Sequence, residues 1–158
     1  MTDVMGTTAI LGHGLLAALM AAVIWCDLKF MRLPNLLVLM LVVVFAATVT
    51  WKLPLAVLGE RVGVALAVLL GAMANAAKLL GGGDVKVLAA LVLFFPTEQL
   101  LAFAFTLCIC MIAGIVALVM LRRILRGKGA TWRGLQEGAR YQMGLSIGAA
   151  GLIMSSFP

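Results

Sequence analysis

An all-α, polytopic membrane protein of six transmembrane helices is expected here, for three reasons. The composition is too apolar for a water-facing surface, the apolar stretches have spanning or near-spanning length, and the basic residues are distributed one-sidedly. Of the 158 residues, 65% are hydrophobic and 11% charged, with a mean hydropathy of +1.19. A soluble domain carries about 45–50% apolar and about 25% charged residues. The composition therefore excludes a soluble globular enzyme, a disordered tail and a disulfide scaffold. A span needs about 20 residues to cross about 30 Å of hydrocarbon, so the length allows six or seven crossings with short loops.

The spans are expected at about residues 7–26, 35–51, 61–78, 85–95, 99–121 and 141–157. The first is not a secretory signal, because Asp3 is the only charge before it and no basic residue precedes it. Pro34 pre-sets the turn into the second, with Asn35 as its cap. Pro96 breaks the fourth, which is short; the alternative is a kinked fourth–fifth pair that does not fully cross twice. Glu60 and Glu98 fall in loops on the outer side.

Orientation follows from lysine and arginine. Lys29 and Arg32 follow the first span, Lys78 and Lys86 flank the turn after the third, and Arg122, Arg123, Arg126, Lys128, Arg133 and Arg140 follow the fifth. These ten of the twelve basic residues lie on one side of a six-span chain. That side is the cytoplasm, with both termini on the non-cytoplasmic side. The net charge of +6 therefore reads as topology and contact with anionic membrane lipids, not nucleic acid. The three cysteines, Cys26, Cys108 and Cys110, read as small apolar fillers. No metal site and no cofactor are expected. Gly63, Gly71, Gly114, Gly144, Gly148 and Gly151 suit close helix contacts.

Ionisable groups at membrane depth are costly and are functional candidates by default. Of the six acidic residues, only Asp27 and Asp84 stand at the cytoplasmic boundary of a span. Asp27 ends the first apolar run in Trp25-Cys26-Asp27-Leu28-Lys29, and Asp84 opens the fourth in Gly81-Gly82-Gly83-Asp84-Val85-Lys86. Two carboxyl groups at one depth suit water activation, one taking a proton from water and the other donating to a carbonyl. On spacing alone they equally suit interfacial aspartates balancing Lys29 and Lys86. Gly81, Gly82 and Gly83 allow close backbone approach, and the GxxxxGK[ST] pattern of a nucleotide loop is absent.

Asp27 followed by Arg32-Leu33-Pro34-Asn35, and then Gly81-Gly82-Gly83-Asp84-Val85-Lys86, resembles the paired motif of the type IV prepilin peptidases, membrane aspartic proteases with a GxGD motif. Gly81, Gly83 and Asp84 fill that motif, and Asp27 matches the second catalytic aspartate. The resemblance implies an aspartic endopeptidase that removes the leader peptide of a prepilin or pseudopilin precursor at the cytoplasmic face of the bacterial inner membrane. Asp27 and Asp84 are then catalytic, and Gly81, Gly82, Gly83, Lys86, Arg32, Pro34 and Asn35 shape the site. Large members carry a zinc-binding methyltransferase insertion. The loop after the first span is too short for one and lacks its cysteines, so the chain is similar to the small, peptidase-only members that serve tight-adherence pili. The last span of the family opens on a Pro-aromatic-Gly pattern, against Arg140-Tyr141-Gln142 here, and this region is expected to touch neither aspartate.

The helix dipoles separate the two roles. Asp27, at the C-terminal end of its helix, is expected to be the protonated acid, and Asp84, at the N-terminal end of its helix, the ionised base. Two other readings compete. One is a small proton- or ion-coupled transporter, whose site belongs nearer the bilayer midplane. The other is a non-catalytic assembly factor of a secretion system.

Overall fold

The computed structural model describes residues 2–50, 53–76, 82–124 and 143–156, with side chains described from residue 12 and, in the third helix, up to residue 71. Among these residues there are six α-helices and no strand: α1 (Thr2–Phe30), α2 (Asn35–Thr48), α3 (Leu55–Ala76), α4 (Gly82–Val92), α5 (Leu100–Ile124) and α6 (Met143–Ser156), with one 3-10 turn at Thr97–Gln99. The all-α expectation holds. Two of the described helices are long and apolar enough to cross a membrane, over Gly12–Phe30 and Thr97–Ile124.

Helix limits depart from the expected spans in instructive ways. α1 continues to Phe30, so Asp27 sits inside its last turn. α3 begins at Leu55, with the Leu58 amide bonded to the Pro54 carbonyl at 3.0 Å. Glu60 and Arg61 therefore ride on α3 rather than in an outer loop. The apolar pattern missed this turn because the two charges interrupt it. α4 spans 11 residues, about 16 Å at about 1.5 Å per residue.

That short helix lies at the centre. Val85, Val87, Ala89, Ala90, Leu91 and Val92 are all buried, and α4 packs against α2, α3 and α6. Its C-terminal end is closed partly by Arg61 of α3, whose Nη1 donates to the Leu93 and Phe94 carbonyls at 3.5 and 3.4 Å. Those carbonyls have no further helical turn to satisfy them. By contrast, α5 turns Leu101, Phe105, Ile109, Ile112, Val116 and Met120 outward. An apolar outer stripe of that size suits lipid rather than water.

Pairwise contacts fix the directions of the helices. A Cβ on Gly12 of α1 would meet Thr48 at the far end of α2, so these two run antiparallel. Arg61 near the start of α3 meets the end of α4, so this pair is antiparallel too. In α5 and α6, Ser146 Oγ donates to the Cys110 carbonyl at 3.0 Å, and Thr106 reaches Met154. α2 and α4 run parallel, through Asn35 with Lys86 at one end and the Phe45–Phe94 edge contact, 5.5 Å between centroids, at the other. α6 crosses α1 antiparallel on its glycine face: added Cβ atoms at Gly144, Gly148 and Gly151 would strike Asp27, Ile24 and Met20 in turn. The close contact expected of these three glycines is thus realised mainly on α1, with Leu91 of α4 also against Gly151, whereas Gly63 and Gly71 of α3 have nothing within 4 Å and make no such contact. In lipid such packing does the work that the hydrophobic effect does in water.

Candidate active site

These directions bring four helix ends to one end of the bundle: the last turn of α1 and the first turns of α2, α4 and α6. Asp27 comes from α1 and is 5% exposed. The helix stops just beyond it because Met31 turns left-handed, at φ 53°, while its N–H still reaches the Asp27 carbonyl at 2.9 Å. A positive φ on a residue with a Cβ costs about 1–2 kcal/mol. This turn throws the chain back, so that Leu33 lies against Gly83 of α4.

Asp84 stands in the first turn of α4, half-buried. Its helix start meets the turn that follows Asp27, with Gly83 against Leu33. Gly83 permits this approach, because a Cβ there would lie 3.1 Å from Leu33 Cβ and 3.4 Å from Leu33 O. Gly82 has open space around it. Gly81 lies outside the described residues, as do Lys78 and most of the basic loop before α6.

The remaining sequence candidates divide. Pro34 is the N-cap of α2, at φ −69° and ψ 140° with no side-chain cap bond. Asn35 is therefore not a cap, contrary to expectation, but the first helical residue. Its Oδ1 accepts a hydrogen bond from Lys86 Nζ at 3.2 Å. The cap failed because proline already supplies the extended conformation an N-cap needs, and the cross-helix partner holds the amide side chain. Arg32 is exposed in the turn. Lys29 lies 5.6 Å over the Trp25 ring and 5.3 Å over Phe30, which anchors it at the surface rather than on Asp27.

One contact reverses an expectation outright. The start of the last helix does reach an aspartate: the Leu145 N–H donates to Asp27 Oδ2 at 2.9 Å. A Cβ on Gly144 would lie 2.7 Å from that same oxygen. Sequence reasoning missed both residues, since a backbone amide has no residue-type signature. The only available signal was the run Gly144, Gly148 and Gly151, which repeats on one helix face.

Two carboxyl groups from separate helices, one buried and one half-buried, can share a proton and polarise a water molecule between them. Among the described residues no group of three or more His, Cys, Asp or Glu side chains is arranged to hold a metal ion.

Comparison with known proteins adds one finding. A family model described as the type IV leader peptidase family matches residues 14–119. That stretch runs from the first span through most of α5 and contains both aspartates. No curated protein and no solved structure gives a significant match.

Proposed function

The chain belongs to the type IV leader peptidase family, and from that premise we propose that it is a membrane aspartic endopeptidase whose catalytic pair is Asp27 and Asp84. Membership makes it a peptidase, a hydrolase of a membrane-associated family acting on prepilin-type substrates in general. The observation that supports the finer reading is that the last turn of α1, holding the buried Asp27, and the first turn of α4, holding Asp84, meet at one end of the bundle, with Gly83 against Leu33.

The mechanism follows from the two helix ends. Asp84, where the free amides of α4 favour negative charge, is the base. It takes a proton from a water molecule as the water oxygen attacks the scissile carbonyl carbon. Asp27, buried at the negative end of α1, is the acid and donates its proton to the carbonyl oxygen. The resulting gem-diol collapses by returning a hydroxyl proton to Asp27, while Asp84 passes its proton to the leaving nitrogen. The C–N bond breaks, and both carboxyl groups regain their starting states.

The substrate is the leader region of a pilin-like precursor, a prepilin or pseudopilin. Its apolar helix would lie in lipid beside the bundle, with the polar junction level with the aspartates. The alternating helix directions support six crossings of the bacterial inner membrane, and the positive-inside rule puts the site on the cytoplasmic side. A transporter reading is weakened because both aspartates stand at the end of the bundle rather than at mid-depth.

The test is co-expression with a precursor carrying a polar leader, a glycine and an apolar stretch, followed by mass spectrometry of the precursor. Asp27→Asn and Asp84→Asn should each abolish loss of the leader while leaving the protein in the membrane. Cleavage by either variant would rule out the pair.

A further inference from the structure

We propose that the first turn of α6, Gly144 with Leu145, is a third working element of the site, and that the Leu145 amide is a positioning group that fixes which oxygen of Asp27 carries the acid proton. The inference rests on the reading of Asp27 as a catalytic acid.

Three observations carry it. The Leu145 N–H donates to Oδ2 of Asp27 at 2.9 Å. Leu145 is the third residue of α6, and the first four amides of a helix have no partner within it, so this donor is available at no cost to the helix. Gly144 leaves no room for any side chain between α6 and the carboxyl group: a Cβ would lie 2.7 Å from Oδ2, 2.8 Å from Cγ and 3.0 Å from Cβ of Asp27.

The chemistry follows from hydrogen-bond direction. A protonated carboxyl group has one carbonyl-type oxygen, the better acceptor, and one hydroxyl oxygen, which donates. An amide pointed at Oδ2 makes Oδ2 the acceptor. The transferable proton is therefore held on Oδ1, and the carboxyl plane cannot swing to present the other oxygen. The Gly144 backbone N–H also reaches this carboxyl group, so without the Leu145 amide the preference between the two oxygens is weakened rather than lost, and the acid is correctly presented only part of the time. The contact joins residues 118 positions apart, so closure of α6 on α1 completes the site.

Removal of the amide should lower kcat and leave KM nearly unchanged, because substrate binding does not depend on it. Leu145→Pro deletes only this N–H and the leucine side chain, within a first turn where proline is tolerated. Met143→Pro is the matching control, with a proline in the same turn but the Leu145 amide intact. Gly144→Ala forces the carboxyl group away, and Gly151→Ala is its control on the same packed face, where the added Cβ meets the flexible Met20 Sδ at 2.7 Å.

Kinetics on the purified full chain in lipid vesicles, per mole of folded protein and with a precursor peptide, decide the matter. A kcat at least about tenfold lower in Leu145→Pro and Gly144→Ala, the scale of a lost hydrogen bond to an acid group, with KM within about twofold and both controls near the parent, supports the proposal. If Leu145→Pro does not accumulate, Gly144→Ala against Gly151→Ala decides alone. Parent-like kcat in Gly144→Ala, or equal losses in variant and control, overturns it. Asp27→Asn is run alongside. An inactive Asp27→Asn beside a fully active Gly144→Ala removes only this inference, whereas an active Asp27→Asn removes the aspartic dyad itself.

Discussion

Lys86 donates from Nζ to Asn35 Oδ1 across 3.2 Å, tying the first turn of the helix that carries Asp84 to the first turn of α2. The bond is exposed, and exposed polar pairs contribute about 0–1 kcal/mol. Its value is therefore alignment rather than stability. Lys86→Met should lower kcat/KM only a few-fold and leave thermal unfolding in detergent almost unchanged. Asn35→Asp, which keeps an acceptor, should retain activity. A loss beyond about a hundredfold, or about 2.7 kcal/mol, in Lys86→Met would give the ammonium group a part in the chemistry.

The glycines before Asp84 are not equivalent. Gly83 faces Leu33 at a hypothetical Cβ distance of 3.1 Å, while nothing lies within 4 Å of the corresponding position on Gly82. Gly83→Ala should push α4 from the Met31–Pro34 turn and displace Asp84, with cleavage down tenfold or more on a scale of about 1.4 kcal/mol per decade. Gly82→Ala should be neutral or slightly stabilising, since alanine is the better helix former by up to about 1 kcal/mol. Equal losses in both variants would show that clearance against Leu33 does not explain the glycine at position 83.

The sequence made some of this site legible and hid the rest, for identifiable reasons. Asp27 and Asp84 were visible because a carboxyl group at a span boundary is costly. Their neighbour in α6 was not, because a main-chain amide contacting a residue 118 positions away leaves no pattern in composition or spacing. Pro34 and Asn35 were rightly placed at the start of α2, yet their parts were exchanged. The start of α3 was hidden by the Glu60-Arg61 pair, although Pro54 is itself a helix-start signal. The centrality of α4 was also hidden, since a short apolar run reads alike whether it faces lipid or protein.

Arg61 illustrates that last point, because its partners are carbonyl groups at the end of α4. Arg61→Ala should uncap that end and leave the Leu93 and Phe94 carbonyls short of a donor, at about 1–3 kcal/mol. The expected readout is a lower thermal midpoint in detergent, with Arg61→Lys intermediate because an ammonium group is more strongly hydrated than a guanidinium and costs more to bring to the two carbonyls. An unchanged midpoint in Arg61→Ala would mean that the contact contributes nothing to holding α4.

The six-crossing topology makes the most general prediction. α2 and α4 run parallel, with Asn35 and Lys86 at one end and Phe45 and Phe94 at the other, and α3 returns antiparallel between their sequence positions. If α4 crosses with its neighbours, Glu98 just beyond it and Arg32 just before α2 face opposite compartments. In a chain whose three native cysteines are replaced by alanine, Glu98→Cys should react with a membrane-impermeant maleimide applied to spheroplasts, and Arg32→Cys only in inverted vesicles. Both positions are exposed, so burial does not limit the reagent. Labelling of both from the same side would mean that α4 does not cross while α5 does. The arginine-rich segment after α5 would then lie opposite the aspartates, against the positive-inside rule.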